Sequence, residues 1–100
     1  MNKRELVQAV AARVGDNKTA AEAVNAIIEA VQKAVAAGDK VAIVGFGSFE
    51  MVYKPSRAAR NPSTGALIQV AESWVPKFRP GSDFKELVNE GGQKAAQRVA

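Results

Sequence analysis

From Met51 to Ala71 the chain carries Lys54, Arg57 and Arg60 but no Asp or Glu, and its centre reads Arg60-Asn61-Pro62-Ser63-Thr64-Gly65. Apolar residues are sparse there. Such a segment cannot bury enough surface to fold as a core by itself, so it must project from whatever the remainder of the chain builds. Asn-Pro and Thr-Gly flanking one serine are strong turn signals. With Met51, Val52 and Tyr53 leading in and Leu67, Ile68, Gln69 and Val70 leading out, the spacing predicts a basic two-stranded β-ribbon. This arm covers about residues 53–76 and has a proline at its tip. Pro55 cannot donate a ladder hydrogen bond, but both strands of such a ribbon are edges, where alternate N–H groups point outward anyway.

One hundred residues suit one domain, and at this size only about 60 to 65% of the unfolded chain's surface is buried on folding. Subtracting the arm leaves a thin core, so the apolar faces are expected to meet a second copy of the chain. Cys and His are both absent, which removes disulfides, thiolate chemistry, and the commonest general base and metal ligand. The 10 acidic residues are scattered over helices and turns and offer no catalytic cluster. We therefore expect no enzyme, no metal, no cofactor and no small-molecule substrate. The formal net charge of +4 points to an anionic partner, and its concentration in the arm favours nucleic acid over a membrane surface. No apolar run approaches the roughly 20 residues of a bilayer span, and Met1 to Glu5 is polar, so a cytoplasmic protein is expected.

Leu6, Val7, Val10, Ala11 and Val14 fall at helical spacing from Lys3 onward, with Gly15 placed for a left-handed cap. Asp16 or Asn17 then caps a second helix whose stripe Val24, Ile27, Ile28, Val31 and Val35 runs to Gly38. Glu22, Glu29 and Lys33 mark its wet side, a mixed charge unlike that of a membrane-surface helix. Val41 to Val44 reads as a covered strand. Gly45-Phe46-Gly47-Ser48-Phe49 follows, but a dinucleotide fingerprint would need a third glycine where Glu50 stands. The expected alternative is a tight strand turn with Phe46 and Phe49 in the core, its small residues letting another backbone, such as a DNA phosphate, come close. After the arm, Trp74 to Gly81 return to the body. Ser82 is expected to cap a last helix carrying Phe84, Leu87 and Val88, with Asp83 in its first turn. The tail at 90–100 begins near two glycines and reads as a frayed helix or a flexible end.

Three stretches together are highly specific: Gly45-Phe46-Gly47-Ser48-Phe49, Arg60-Asn61-Pro62-Ser63-Thr64-Gly65 and Val75-Pro76-Lys77-Phe78-Arg79-Pro80-Gly81. In this order and spacing they resemble the bacterial HU proteins, the histone-like branch of the HU and integration host factor family, over Met1 to Asn89. The resemblance implies an α+β fold. It would be an intertwined dimer with a helical base (two N-terminal helices and a short C-terminal helix) and a three-stranded antiparallel sheet extended into the arm. Residues 1–89 would form the single domain. It also implies a nucleoid-associated homodimer that bends and condenses double-stranded DNA through the minor groove, the mode for which HU and integration host factor are themselves the known examples. Bent, nicked or junction DNA would be preferred. By the same resemblance Pro62 is the tip wedge with Asn61 beside it, and Lys54, Arg57 and Arg60 are arm contacts. Lys3, Arg79 and Lys85 are body residues near DNA, and Ser48, Gly81 and Ser82 offer backbone or hydroxyl groups. The sequence departs from many relatives at Pro55, Trp74 and Ser82. The alternative is a sequence-specific bending protein of the integration host factor type; Val75-Pro76 before Phe78 is more similar to HU.

Overall fold

The computed structural model describes residues 1–99. Two helices open the chain, α1 (Lys3–Val14) and α2 (Asn17–Ala36). The Asn2 side chain accepts the Glu5 N–H at 2.9 Å, and Gly15, at φ 89°, closes α1 by donating to the Ala11 carbonyl at 2.7 Å. A side chain would be strained in that left-handed conformation, which is why glycine stands there. Of the two candidate caps for α2, Asp16 is the one used. Its carboxylate accepts from the Thr19 N–H at 3.0 Å and the Thr19 hydroxyl at 2.8 Å, and these bonds hold its pKa below the ordinary aspartate value.

Five strands follow: β1 (Val41–Ile43), β2 (Gly47–Lys54), β3 (Arg57–Arg60), β4 (Leu67–Val70) and β5 (Ser73–Pro80). β1, β2 and β5 form an antiparallel sheet in the order β1-β2-β5, and β3 pairs with β4 in the arm. Four phenylalanines lock the sheet to the last helix, α3 (Ser82–Val99). Phe49 and Phe78 lie opposite each other across β2 and β5 with centroids 4.8 Å apart, and Phe46 stacks on Phe84 of α3 at 5.4 Å and 12°. These offset ring pairs add to plain area burial.

The interior is thin. Among the described residues only Ala20, Val24 and Val35 are buried. Ile27 of the same stripe stays 62% exposed and lines an apolar groove of about 720 Å3 with Ile28, Val31, Phe49, Met51 and Trp74. The radius of gyration is 18.8 Å, against about 13 Å for a compact domain of this length. The fold is α+β as expected, but one chain does not cover its own apolar surface.

Two local expectations change. The close approach at Gly47 is made by the chain itself: a Cβ there would lie 2.5 Å from the Arg79 carbonyl and 2.7 Å from the Phe78 ring. Ser82 is not the cap of α3, because Gly81 occupies that position. The Gly81 carbonyl accepts the Lys85 N–H at 3.0 Å while its own N–H donates to the Phe46 carbonyl at 2.9 Å. A residue needed for that tight strand contact takes the cap and leaves Ser82 as the first helical residue. Of the two readings of the tail at 90–100, the helical one is seen as far as Val99, and residue 100 lies outside the described residues. Gly91 and Gly92 cost about 1 kcal/mol each in a helix, but the following Gln, Lys, Ala and Arg residues are strong helix formers.

Candidate nucleic-acid interface

The pairing register sorts the candidate residues by face, because side chains alternate along a strand. Phe49, Met51 and Tyr53 on β2 lie opposite Phe78, Pro76 and Trp74 on β5. This face carries the aromatic cluster and, with α2, walls the apolar groove. The other face pairs Ser48 with Arg79, Glu50 with Lys77 and Lys54 with Ser73. Val52 and Val75 form an apolar pair in its middle, and its charged residues are basic apart from Glu50. At its end a recess of about 440 Å3 is lined by Ser48, Arg79, Gly81 and Ser82, with Lys40 and the acidic Asp83, so four of the sequence-derived body residues come together there.

The arm continues the same register after a gap. Lys54 is opposite Ser73 and Arg57 is opposite Val70, which leaves Pro55 and Ser56 facing Ala71 and Glu72 without strand pairing. Pro55 has no N–H to give. Since two residues are skipped on each side, alternation keeps its phase. Lys54 and Arg60 share the face of Ser48 and Arg79, while Arg57 falls on the opposite face.

The tip is tightly tied. Asn61 donates its N–H to the Ala66 carbonyl at 2.8 Å and accepts from Gly65 at 2.7 Å. Its side-chain oxygen accepts the Ser63 N–H at 2.8 Å, an Asx turn that wraps around Pro62. The Arg60 guanidinium donates to the Gly65 carbonyl at 2.9 Å, and Thr64 Oγ1 accepts the Ala66 N–H at 3.3 Å. Pro62 is left exposed at the apex. Asn61 thus has a structural role in presenting it.

Two further polar pairs flank the arm. Tyr53 Oη donates to a Glu72 carboxylate oxygen at 2.5 Å, with Trp74 packed on the Tyr53 ring at 4.9 Å; the Glu72 bond chiefly, and desolvation, raise the Tyr53 pKa above 10.0. Arg79 Nε lies 2.5 Å from Glu50 Oε1. The two remaining candidates sit apart from these groups: Lys3 begins α1, and Lys85 lies on α3 beside Phe78, Pro80 and Phe84. Sequence reasoning missed Lys77 and Lys40. The i, i+2 spacing of Lys77 and Arg79 on one strand was the available signal for the first; for the second there was none short of the folded turn.

The chain matches the family described as Bacterial DNA-binding protein over residues 1–89. DNA-binding protein HU 2 of Streptomyces coelicolor is 51% identical over 89 residues, which are 89% of this chain and 41% of that protein. The chain thus spans about two fifths of the length of this relative. DNA-binding protein HU-beta of Pseudomonas fluorescens is 46% identical over 90 residues, covering 89% of this chain and 100% of its own length. Among solved structures, an Anabaena HU–DNA cocrystal structure superposes with a TM-score of 0.79 at 43% identity, covering 88% of this chain and 97% of that one.

Proposed function

The chain belongs to the bacterial DNA-binding protein family that includes HU, and from that premise we propose that it is an architectural protein that bends and compacts double-stranded DNA with little regard to sequence. Residues 1–89 act as the binding unit. Two copies close their apolar grooves against each other, and their two arms reach around one duplex in the minor groove. This homodimer works in the cytoplasm, on the nucleoid.

The observation that carries the reading is the arm: a projecting, acid-free ribbon that holds an exposed proline at its apex by the Asn61 turn. Arg and Lys displace condensed counterions from phosphates, which gives affinity independent of sequence. Lys54, Arg60, Lys77 and Arg79 present that charge on the same side of the body and arm, with Ser48, Gly81, Ser82 and Lys40 at its end and Arg57, Lys3 and Lys85 as outlying cations. Pro62 is rigid and apolar, and inserted at a base step it unstacks the pair at a cost of a few kcal/mol. Smooth bending of a short site costs about 1 to 6 kcal/mol, so DNA already bent, nicked or branched binds more tightly. The minor groove carries mainly A·T against G·C information, so arms lying there read little sequence.

A gel-shift comparison of linear, nicked and four-way-junction DNA across a salt series tests this. We expect binding to all three, tighter on the nicked and branched forms. Its dependence on log salt should have a slope of about −0.9 per phosphate neutralised. Strong preference for one linear sequence would replace this reading with that of a site-specific bending protein.

A further inference from the structure

Between Gly47 and Pro80 the chain has just two acidic residues, Glu50 and Glu72. Glu72 is bonded to Tyr53 on the face of the sheet that walls the apolar groove. Glu50 is the acidic residue within the strands of the basic face, with Lys77 directly opposite it and Arg79 two residues further along β5, while Asp83 lies in the recess at the end of that face. Its carboxylate grips Arg79 at 2.5 Å, and its side chain is 25% exposed while that of Arg79 is 59% exposed. The acid is therefore set back in the sheet, and the cation it holds lies over it.

We infer that Glu50 is an affinity-setting residue of the DNA interface: it withholds Arg79, and in part Lys77, from phosphate, so that the body of the protein grips DNA more weakly than its count of cations implies. The inference rests on the DNA-binding reading above. An Arg already neutralised by a carboxylate releases fewer counterions from DNA, and the carboxylate itself repels any phosphate brought to the same face. Weak body contact leaves the arms as the dominant grip. Affinity is then governed by how readily the DNA bends into their reach, so this one carboxylate sharpens discrimination between straight and pre-bent DNA.

The test is Glu50→Gln, which keeps the shape and a hydrogen-bond acceptor for Arg79 but removes the charge. Glu29→Gln, an equal charge change on the wet side of α2, is the control. Anisotropy of labelled linear and nicked duplexes is followed across a salt series. We expect Glu50→Gln to bind linear DNA roughly two- to tenfold more tightly and with a steeper salt slope, by about 0.9 per phosphate newly neutralised. The ratio of nicked to linear affinity should fall, and Glu29→Gln should track the parent. Arg79→Ala should cost more in the Glu50→Gln background than in the parent, because there Arg79 is freer to reach phosphate. Equal gains from Glu50→Gln and Glu29→Gln, or an Arg79→Ala loss that is the same in both backgrounds, would overturn the inference. A parent whose duplex binding is absent or insensitive to salt would overturn the DNA-binding reading itself, a result distinct from either.

Discussion

Replacing Ile27 with Asp is expected to separate the two copies of the chain. Ile27 is 62% exposed and lines the apolar groove between α2 and the sheet, so about three fifths of its surface remains to be covered by a partner. Full burial of an isoleucine side chain contributes about 1.5 to 3 kcal/mol, so covering that fraction gives about 1 to 2 kcal/mol per copy. A twofold dimer loses the contribution twice, about 2 to 4 kcal/mol, and each 1.4 kcal/mol is tenfold in affinity. The dimer dissociation constant should rise about 30-fold or more. That figure is a floor, because the new carboxylate must also lose water in an apolar groove. Sedimentation at graded concentration reads the constant directly, and the concentration dependence of the thermal midpoint checks it independently. A variant whose dimer constant stays within threefold of the parent would refute the reasoning, as would a parent that remains a folded monomer at micromolar concentration.

Pro62→Ala carries no charge change, so its salt slope should match the parent's, while bend angle, measured by energy transfer between duplex ends, and preference for nicked DNA should both shrink; unchanged bending would make Pro62 a turn residue only. Asp16 has a depressed folded-state pKa, so its contribution to stability should be fully present above about pH 4 and be lost as pH falls through the folded value. Asp16→Asn keeps a capping side chain without the titration, and the parent's stability relative to it should fall only in that acid window in unfolding curves. The chain has a single tyrosine, so tyrosinate absorbance should titrate with a midpoint above 10 and shift back toward 10 in Glu72→Gln. An unaltered midpoint in that variant would mean the Tyr53–Glu72 bond does not persist in solution.

What was legible in the sequence was local. Gly15 after an apolar helical stripe, an Asp before the next stripe, and the Asn-Pro and Thr-Gly pair at the arm tip each declare their own backbone geometry, and the structure places a cap or turn at each. Arg60, Asn61 and Pro62 were therefore found together. What was not legible depended on which strand lies beside which. Gly47 is small because Arg79 and Phe78, more than 30 residues later, press on it. Gly81 displaces Ser82 as a cap because Phe46 reaches across to its N–H. That Lys77 and Glu50 share the face of Ser48 and Arg79 emerged only once the β2–β5 register was known. The tail left two readings open for a different reason: two glycines weaken a helix locally, whereas helix formation sums over all the residues of the segment.

The gap between the two sheets of the arm has a mechanical meaning. At Pro55 and Ser56, facing Ala71 and Glu72, the ribbon lacks the ladder bonds that stiffen it on either side. A gap of odd length on either strand would have turned the outer half over and put Arg60 on the face opposite Lys54. Two residues on each strand do not. The arm thus has a joint at its base: the gap loosens the outer half, while its even length keeps the two halves of the charged edge in phase on average. Compliance is introduced there without reversing which way that edge faces.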